Sequence, residues 1–427
     1  MSPIQISIKD YKAVKSAEID LNGITVISGI NGSGKSSISR LLYYALKYAN
    51  NFDEIVNRLF ENDLVPINLL LQSATTGFQN NGIVNEIRKC IKEIGYVGDN
   101  KNKRRIYIKA LELVGDLLKS ANPKEEPMAY RLMGIIESGI LKNNSFSEYK
   151  ISSVHDVIKK TELLFDKAEN LSLLRKYSLY YDALTDVLED TIKGVKILEY
   201  GVPFVGKSVT SVPILNYIQR VAYIDTPMMV GIDAQNNVEY WNDLNTMLDF
   251  SIKANHSRTI EKYLNEIIGG NVYLKNEKSF WGGTMKYLRN DGLEIDLINS
   301  ATGIKSFSIL QRLLQNGTIK ENTLLIIDEP EAHLHPQWIV EYARIIVMMH
   351  QRIGAKFFIA SHSTDFVSAI KYIAEKQKVQ KSLSFYLAEE DKRKPYSYNY
   401  KSIGTDIEPI FESFNKSLDK ISEYGGW

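Results

Sequence analysis

Eight residues near the start of the chain, Gly29-Ile30-Asn31-Gly32-Ser33-Gly34-Lys35-Ser36, match G-x-x-x-x-G-K-[ST], a spacing suited to holding a polyphosphate. Its glycines let successive backbone N–H groups curl around phosphate oxygens, and the amino end of a following helix adds favourable partial charge. At this spacing Lys35 reaches the β- and γ-phosphates, and the Ser36 hydroxyl meets Mg²⁺. The expected cradle is Gly29, Asn31, Gly32, Ser33, Gly34, Lys35, Ser36 and Ser37. A second constellation, Leu324-Leu325-Ile326-Ile327-Asp328-Glu329-Pro330, is an apolar run that ends in two acids. Beside a phosphate loop, Asp328 is the expected holder of Mg²⁺ through its water shell. Glu329 is the expected acceptor of the attacking water's proton. A third run, Lys356 to Ala360, ends in Ser361-His362-Ser363, and strand ends on one edge of an α/β sheet converge on a single crevice. His362 is therefore expected to reach the γ-phosphate.

These groups need a sheet to position them. Residues 24–28 read as the strand entering the P-loop and residues 38–48 as the helix leaving it. Before them Ile4, Ile6 and Ile8 share one strand face, and residues 17–21 form a second strand. Asn22-Gly23 is a tight-turn dipeptide that predicts a hairpin between the second and third strands. From about 50 to 220 the periodicity is mainly helical, as in residues 83–94, 106–118, 154–165 and 183–192. Polar separators stand at 98–103, 122–124 and 143–145. Strand character returns at 220–225 and 271–274, then in a hairpin over 286–297 that turns at Asn290-Asp291-Gly292. The last third alternates strand and helix, with a strand at 383–387 and a terminal helix around 410–421. The expected division is 1–50 and 221–427 for the two parts of an α/β head, with a helical insertion at 51–220.

Composition narrows the class. The 44% hydrophobic and 24% charged content is that of an ordinary soluble protein. With 52 basic against 51 acidic residues, whole-chain charge does not advertise a nucleic-acid partner. The basic runs 101–105 and 392–394 leave nucleic-acid contact open, although such runs are more often solvated. Tyrosine pairs such as Tyr43-Tyr44 and Tyr180-Tyr181 fall in helical runs and suit packing. Cys90, the single cysteine, excludes a disulfide scaffold and sits in an apolar helical stripe. The amino terminus shows no secretory pattern and no apolar stretch is long enough to span a bilayer, so the expected location is the cytoplasm, without a membrane partner.

The order P-loop, long insertion, D-E-P-E-x-H-L-H-P and S-H-S resembles the ABC-type ATPases of the OLD, RecF and SMC group. The resemblance covers residues 3–50 and 290–370. It implies an ABC-type ATPase head, a mixed sheet with a P-loop core, and ATP with Mg²⁺ as ligands. It also implies a head-to-head dimer, or a higher oligomer built on it, in which each nucleotide meets a P-loop from one copy and a signature loop from the other. The expected signature is 299–305, with Ser300 and Gly303 as nucleotide contacts, although Ala301 stands where that group has its serine. His333 and His335 lie in the corresponding inter-subunit loop, where hydrogen bonding suits them better than a metal. Gln72 is the candidate for the Mg²⁺-sensing glutamine.

Among such ATPases, about 290 residues between Lys35 and Asp328 exceed what a transporter subunit has. No sustained heptads support a long SMC coiled coil. The roughly 65 residues after His362 are too few for the nuclease domain of OLD enzymes. The chain thus resembles standalone ATPase subunits of two-gene antiphage systems of the PARIS or Septu type. That resemblance implies an ATP-hydrolysing sensor and scaffold holding a separately encoded nuclease or toxin. The alternative is a RecF-like repair or recombination ATPase that binds DNA directly.

Overall fold

The computed structural model describes residues 2–76, 78, 82–94, 100–121, 125–137, 153–229, 238–249, 258–275 and 284–425. The expected separators at 98–99, 122–124 and 143–145 lie outside these residues. Two compact units emerge. The first comprises Met1–Asn50, Leu184–Val209 and Pro213–Trp427, and the second Asn51–Ala183 with Thr210–Val212.

In chain order the first unit opens with β1 (Ile4–Tyr11), β2 (Val14–Leu21), β3 (Ile24–Ser28) and α1 (Lys35–Asn50). The second unit is helical: α2 (Phe52–Thr76), α3 (Gly82–Ile94), α4 (Asn100–Lys119), α5 (Glu126–Glu137) and α6 (Val154–Leu174), and α7 (Tyr177–Leu188) crosses the boundary. Cys90 on α3 is buried with Val84 and Ile87 on the stripe that the spacing predicts. At the start of α6 the Ser153 hydroxyl accepts from the Asp156 N–H and the Asp156 carboxylate accepts from the Ser153 N–H, a reciprocal cap readable as S-x-x-D.

The chain is back in the first unit at Leu184, before the expected boundary near 220, because the tail of that helical region carries two strands. These are β4 (Val195–Glu199) and β5 (Val202–Val205), and β4 adds to the edge of β1. There follow β6 (Arg220–Ile224), α8 (Glu239–Asp249), α9 (Arg258–Ile268), β7 (Gly270–Lys275), β8 (Thr284–Arg289), β9 (Glu294–Asp296), α10 (Thr302–Gln315) and β10 (Thr323–Asp328). The unit ends with α11 (Pro336–Ile353), β11 (Lys356–Ser361), α12 (Thr364–Lys376), β12 (Leu383–Glu390), β13 (Tyr398–Gly404) and α13 (Glu408–Gly425).

Ten strands form one mixed sheet in the order β5-β4-β1-β2-β13-β12-β3-β11-β10-β6, and β7-β8-β9 form a second, small one. The run β12-β3-β11-β10-β6 is parallel throughout. Strands β3, β10 and β11 are buried at every position, which explains their unbroken apolar sequences. This is the expected α/β architecture, a mixed sheet with a P-loop core.

One expectation fails here. Asn22-Gly23 does not close a hairpin, since β13 and β12 lie between β2 and β3 in the sheet. Instead β1 and β2 form the antiparallel pair, and the residues between them include Lys12 at φ 50°. Gly23 serves close packing: a Cβ there would lie 2.6 Å from the Ser382 carbonyl oxygen, and its own carbonyl accepts from Phe357 N–H at 2.8 Å. The hairpin at Asn290-Asp291-Gly292 does form between β8 and β9, with Gly292 at φ 91°. Of the described residues, none forms a helix long and apolar enough to cross a membrane.

Helices α10 and α11 meet at a tight point. A Cβ on Gly303 would lie 2.7 Å from Cζ3 and 2.8 Å from Cε3 of Trp338, whose ring packs edge-on to Phe307 with centroids 5.5 Å apart. We predict that Gly303→Val lowers the unfolding free energy by about 1–3 kcal/mol through overpacking. Denaturant titration checks this, and an unchanged midpoint would contradict it.

Candidate functional site

The parallel register lines up the carboxyl ends of four strands. Ser28 of β3 faces Ser361 of β11, Ala360 of β11 faces Asp328 of β10, and Ile327 of β10 faces Ile224 of β6. One residue beyond β6, Asp225 therefore stands beside Asp328. The P-loop leaves β3 at this edge. Gly32 and Gly34 take φ 81° and 94°, a region that L side chains avoid. At Gly34 a Cβ would also meet Val14 Cγ2 at 2.8 Å.

The loop rests on the carboxyl-terminal strands. The Tyr400 hydroxyl donates to the Ser33 carbonyl at 3.2 Å, and a Cβ on Gly29 would lie 2.6 Å from the Ala388 Cβ. Asn31, Gly32 and Ser36 are exposed and Ser37 is half-buried, whereas the Ser33 side chain is buried and its N–H donates to the Ile30 carbonyl. Lys35 Nζ donates to the carbonyls of Gly29 and Ile30 at 2.8 and 3.0 Å. Burial pulls its pKa below the ordinary lysine value, opposed by the charges of Glu329, Asp328 and Glu331.

Asp328 is a buried acid of the site, 7% exposed. Its two oxygens are separately held: Oδ1 accepts from Ser39 Oγ at 2.6 Å and Oδ2 from the Tyr223 hydroxyl at 2.7 Å. Burial pushes its carboxyl up, while Ser39, Tyr223 and Ser36 draw it down. Ser36 and Asp328 thus act on one another, and their hard oxygens match the preference of Mg²⁺. The exposed loop amides at the start of α1 fit a polyphosphate. In this chain a nucleotide and Mg²⁺ therefore find the donor set they need in Lys35, Ser36 and Asp328.

Glu329 follows with φ 50°, left-handed for a residue with a Cβ, and its N–H donates to the Ala360 carbonyl at 2.8 Å. Such strain persists only where neighbours impose it, and it gathers at functional sites. It turns the Glu329 side chain outward, 45% exposed, 3.7 Å from His362 Nδ1. His362 is itself 40% exposed. Glu331 is the organiser beneath: its Oε1 accepts from Ser361 Oγ at 3.0 Å and from His362 N–H at 2.9 Å, and lies 3.3 Å from His362 Nδ1.

The structure therefore brings Lys35, Ser36, Asp328, Glu329 and His362 to one sheet edge. Gly29, Asn31, Gly32, Ser33, Gly34 and Ser37 belong to the loop at that edge, whereas Ser300, Gly303 and His335 lie on other elements. The Ser300 hydroxyl donates to the Leu297 carbonyl at 2.7 Å, and Gly303 is buried beneath Trp338 at the start of α10. Ala301 caps that helix without a side-chain bond. His335 is the N-cap of α11, with Nδ1 accepting from the Gln337 N–H at 3.4 Å. Gln72 is an exposed residue of α2 in the second unit, and in the first unit Asp225 follows β6 beside Asp328. Asp225 accepts from Trp241 Nε1 at 2.7 Å and from the Tyr240 hydroxyl at 3.1 Å.

Sequence reading misses Ser39, Tyr223, Asp225, Glu331 and Tyr400. A signal exists for two of them: Ser39 lies one helical turn beyond Lys35, and Asp225 ends an apolar strand just as Asp328 does.

Over 224 residues the chain is 29% identical to an uncharacterized chromosomal cassette SCCmec type IVc protein of Staphylococcus aureus (strain MRSA252), a match covering 46% of this chain and 30% of that protein. It is 35% identical over 81 residues to an energy-coupling factor transporter ATP-binding protein of Clostridium perfringens, covering 19% of this chain and 28% of the relative. The chain thus spans about a third or less of these curated relatives. Solved structures similar to it include the Smc head domain of Pyrococcus furiosus bound to the C-terminal domain of ScpA. That alignment is 12% identical, covers 99% of this chain and 100% of that one, and has a TM-score of 0.35. The SMC head domain of Thermotoga maritima aligns at 10% identity over 94% of this chain and 99% of that one, with a TM-score of 0.37. The model of the AAA ATPase domain matches residues 1–367, most of the chain and every strand end that builds the site. With P-loop, acidic strand and histidine strand in one register, the chain belongs to the AAA ATPase domain family.

Proposed function

We propose that this chain binds Mg-ATP at the edge of β3, β10 and β11 and hydrolyses it, and that nucleotide state controls a separately encoded effector in antiphage defence. The observation that carries the catalytic half is the meeting of Lys35, Ser36, Asp328, Glu329 and His362 around one P-loop. Lys35 and the loop amides hold the phosphates. Ser36 and Asp328 hold Mg²⁺, which when bound neutralises developing phosphate charge. Glu329, facing outward, accepts the proton of the attacking water. Glu331 holds the backbone N–H of His362, whose ring hydrogen-bonds the γ-phosphate. The effector-controlling half is supported by the motif order and long helical insertion that resemble the OLD-like ATPases of two-gene systems. A dimer that completes each site from a second copy belongs to the same reading.

Lys35→Ala is expected to abolish tight ATP binding, measured by isothermal titration; wild-type affinity would remove the P-loop assignment. Glu329→Gln is expected to keep ATP binding while slowing hydrolysis about a hundred- to ten-thousandfold, the span of general-base catalysis. Single-turnover phosphate release reads this, and normal turnover counts against the role. For the defence reading, the chain co-expressed with its genomic neighbours is expected to give an ATP-dependent complex in native mass spectrometry. A lone chain that instead binds DNA with steep salt dependence would replace that reading with a repair function.

A further inference from the structure

Parallel strands buried on both faces are built from aliphatic residues, yet β6 carries a tyrosine at its fourth position. Tyr223 is 1% exposed and sits opposite Ile326 of β10. Its ring is packed against Tyr240 and Tyr43, with centroids 4.7 and 5.8 Å away. A phenylalanine would fill that space equally well, and burying a hydroxyl there is costly unless it is paired. The pairing is the Asp328 carboxylate, and burial together with that carboxylate pushes the Tyr223 phenol well above its ordinary value, so it remains a donor. Ser39 is 0% exposed and engages the other oxygen from α1, the helix that also carries Lys35 and Ser36. With Ser39 and Tyr223 bound to different oxygens the carboxylate is held against rotation, on the side where Ser36 also meets it.

We propose that Tyr223 and Ser39 are positioning residues that hold Asp328 in the orientation needed to take Mg²⁺, so that the two hydroxyls set the metal affinity of the nucleotide site. This rests on the assignment of Asp328 to the metal. Tyr223 also joins that carboxylate to the next helix. Arg40 lies 5.7 Å over the Tyr240 ring, and Asp225, next but one to Tyr223, holds Tyr240 and Trp241 of α8.

The test is a Mg²⁺ titration of a fluorescent ATP analogue bound to the full chain, read by fluorescence without turnover. Tyr223→Phe and Ser39→Ala are expected to raise the Mg²⁺ half-saturation about tenfold, the low end for partners that orient a metal ligand. Affinity for the analogue in EDTA stays at the wild-type value, which a general packing defect would not allow. Ser39→Thr, which keeps a hydroxyl, restores the wild-type Mg²⁺ curve. Unchanged half-saturation in both hydroxyl variants, with a raised value in Asp328→Asn, overturns the positioning role and leaves the metal assignment standing. If Asp328→Asn is unchanged as well, both fall. Should Tyr223→Phe not fold, Ser39→Ala decides alone.

Discussion

A carboxylate at the end of a strand buried on both faces is costly to keep, and the head is arranged around making Asp328 tolerable. Desolvation drives the group toward its neutral form, whereas metal chemistry needs the charge. Two neutral donors resolve the conflict better than a salt bridge would. Ser39 and Tyr223 stabilise the anion without neutralising it, so its charge stays available to Ser36 and a cation. Both donors come from elements that cannot shift independently. Ser39 is fixed by the helix that begins at Lys35, and Tyr223 by the ladder between β6 and β10. The P-loop, the acidic strand and the tyrosine strand are therefore one mechanical object.

That object extends along α1. Lys47 is buried and paired with Glu239 at 2.6 Å and with Asp243, both on α8, and Tyr43 donates to the same Asp243. Tyr48 donates to Glu239 at 3.0 Å. With Asp225 holding Tyr240 and Trp241, α8 is tied to the site both along α1 and at the end of β6. The paired tyrosine Tyr43-Tyr44 is thus packing, as its helical spacing suggests, but packing that also carries a polar contact.

What was legible in the chain was whatever lay within one element. Gly29 to Ser36, Asp328-Glu329 and Ser361-His362 each combine a strand with its own end, so local pattern and chemistry coincide in a few residues. Partners brought in from afar left no such trace. Tyr223 and Asp328 are 105 positions apart, and Tyr400 and Ser33 are 367 apart. Strand β13 is hidden for the same reason, because its burial depends on β2 and β12, which contact it only after folding. Asn22-Gly23 misled because turn propensity is local while strand order is global. The chain there leaves β2 to cross two strand positions, and the glycine answers a steric demand from Ser382. At Gly303 a glycine that fits a signature-loop pattern also answers the Trp338 ring, so packing alone accounts for the residue type.

The acid-base end of the site is physically unlike its metal end. Asp328 is 7% exposed, while Glu329 and His362 are 45% and 40% exposed. Phosphoryl chemistry gains from excluding bulk water, because fixed charges act far more strongly where the dielectric is low. Asp328 meets that condition and Glu329 does not. Strain at Glu329 sets the direction of the base but cannot dry it. Among the described residues of this unit nothing covers Glu329 fully, and in the reading proposed above a second copy closing over the nucleotide supplies that cover. Hydrolysis would then be gated by that closure, and ATP binding alone would leave the site loaded but slow.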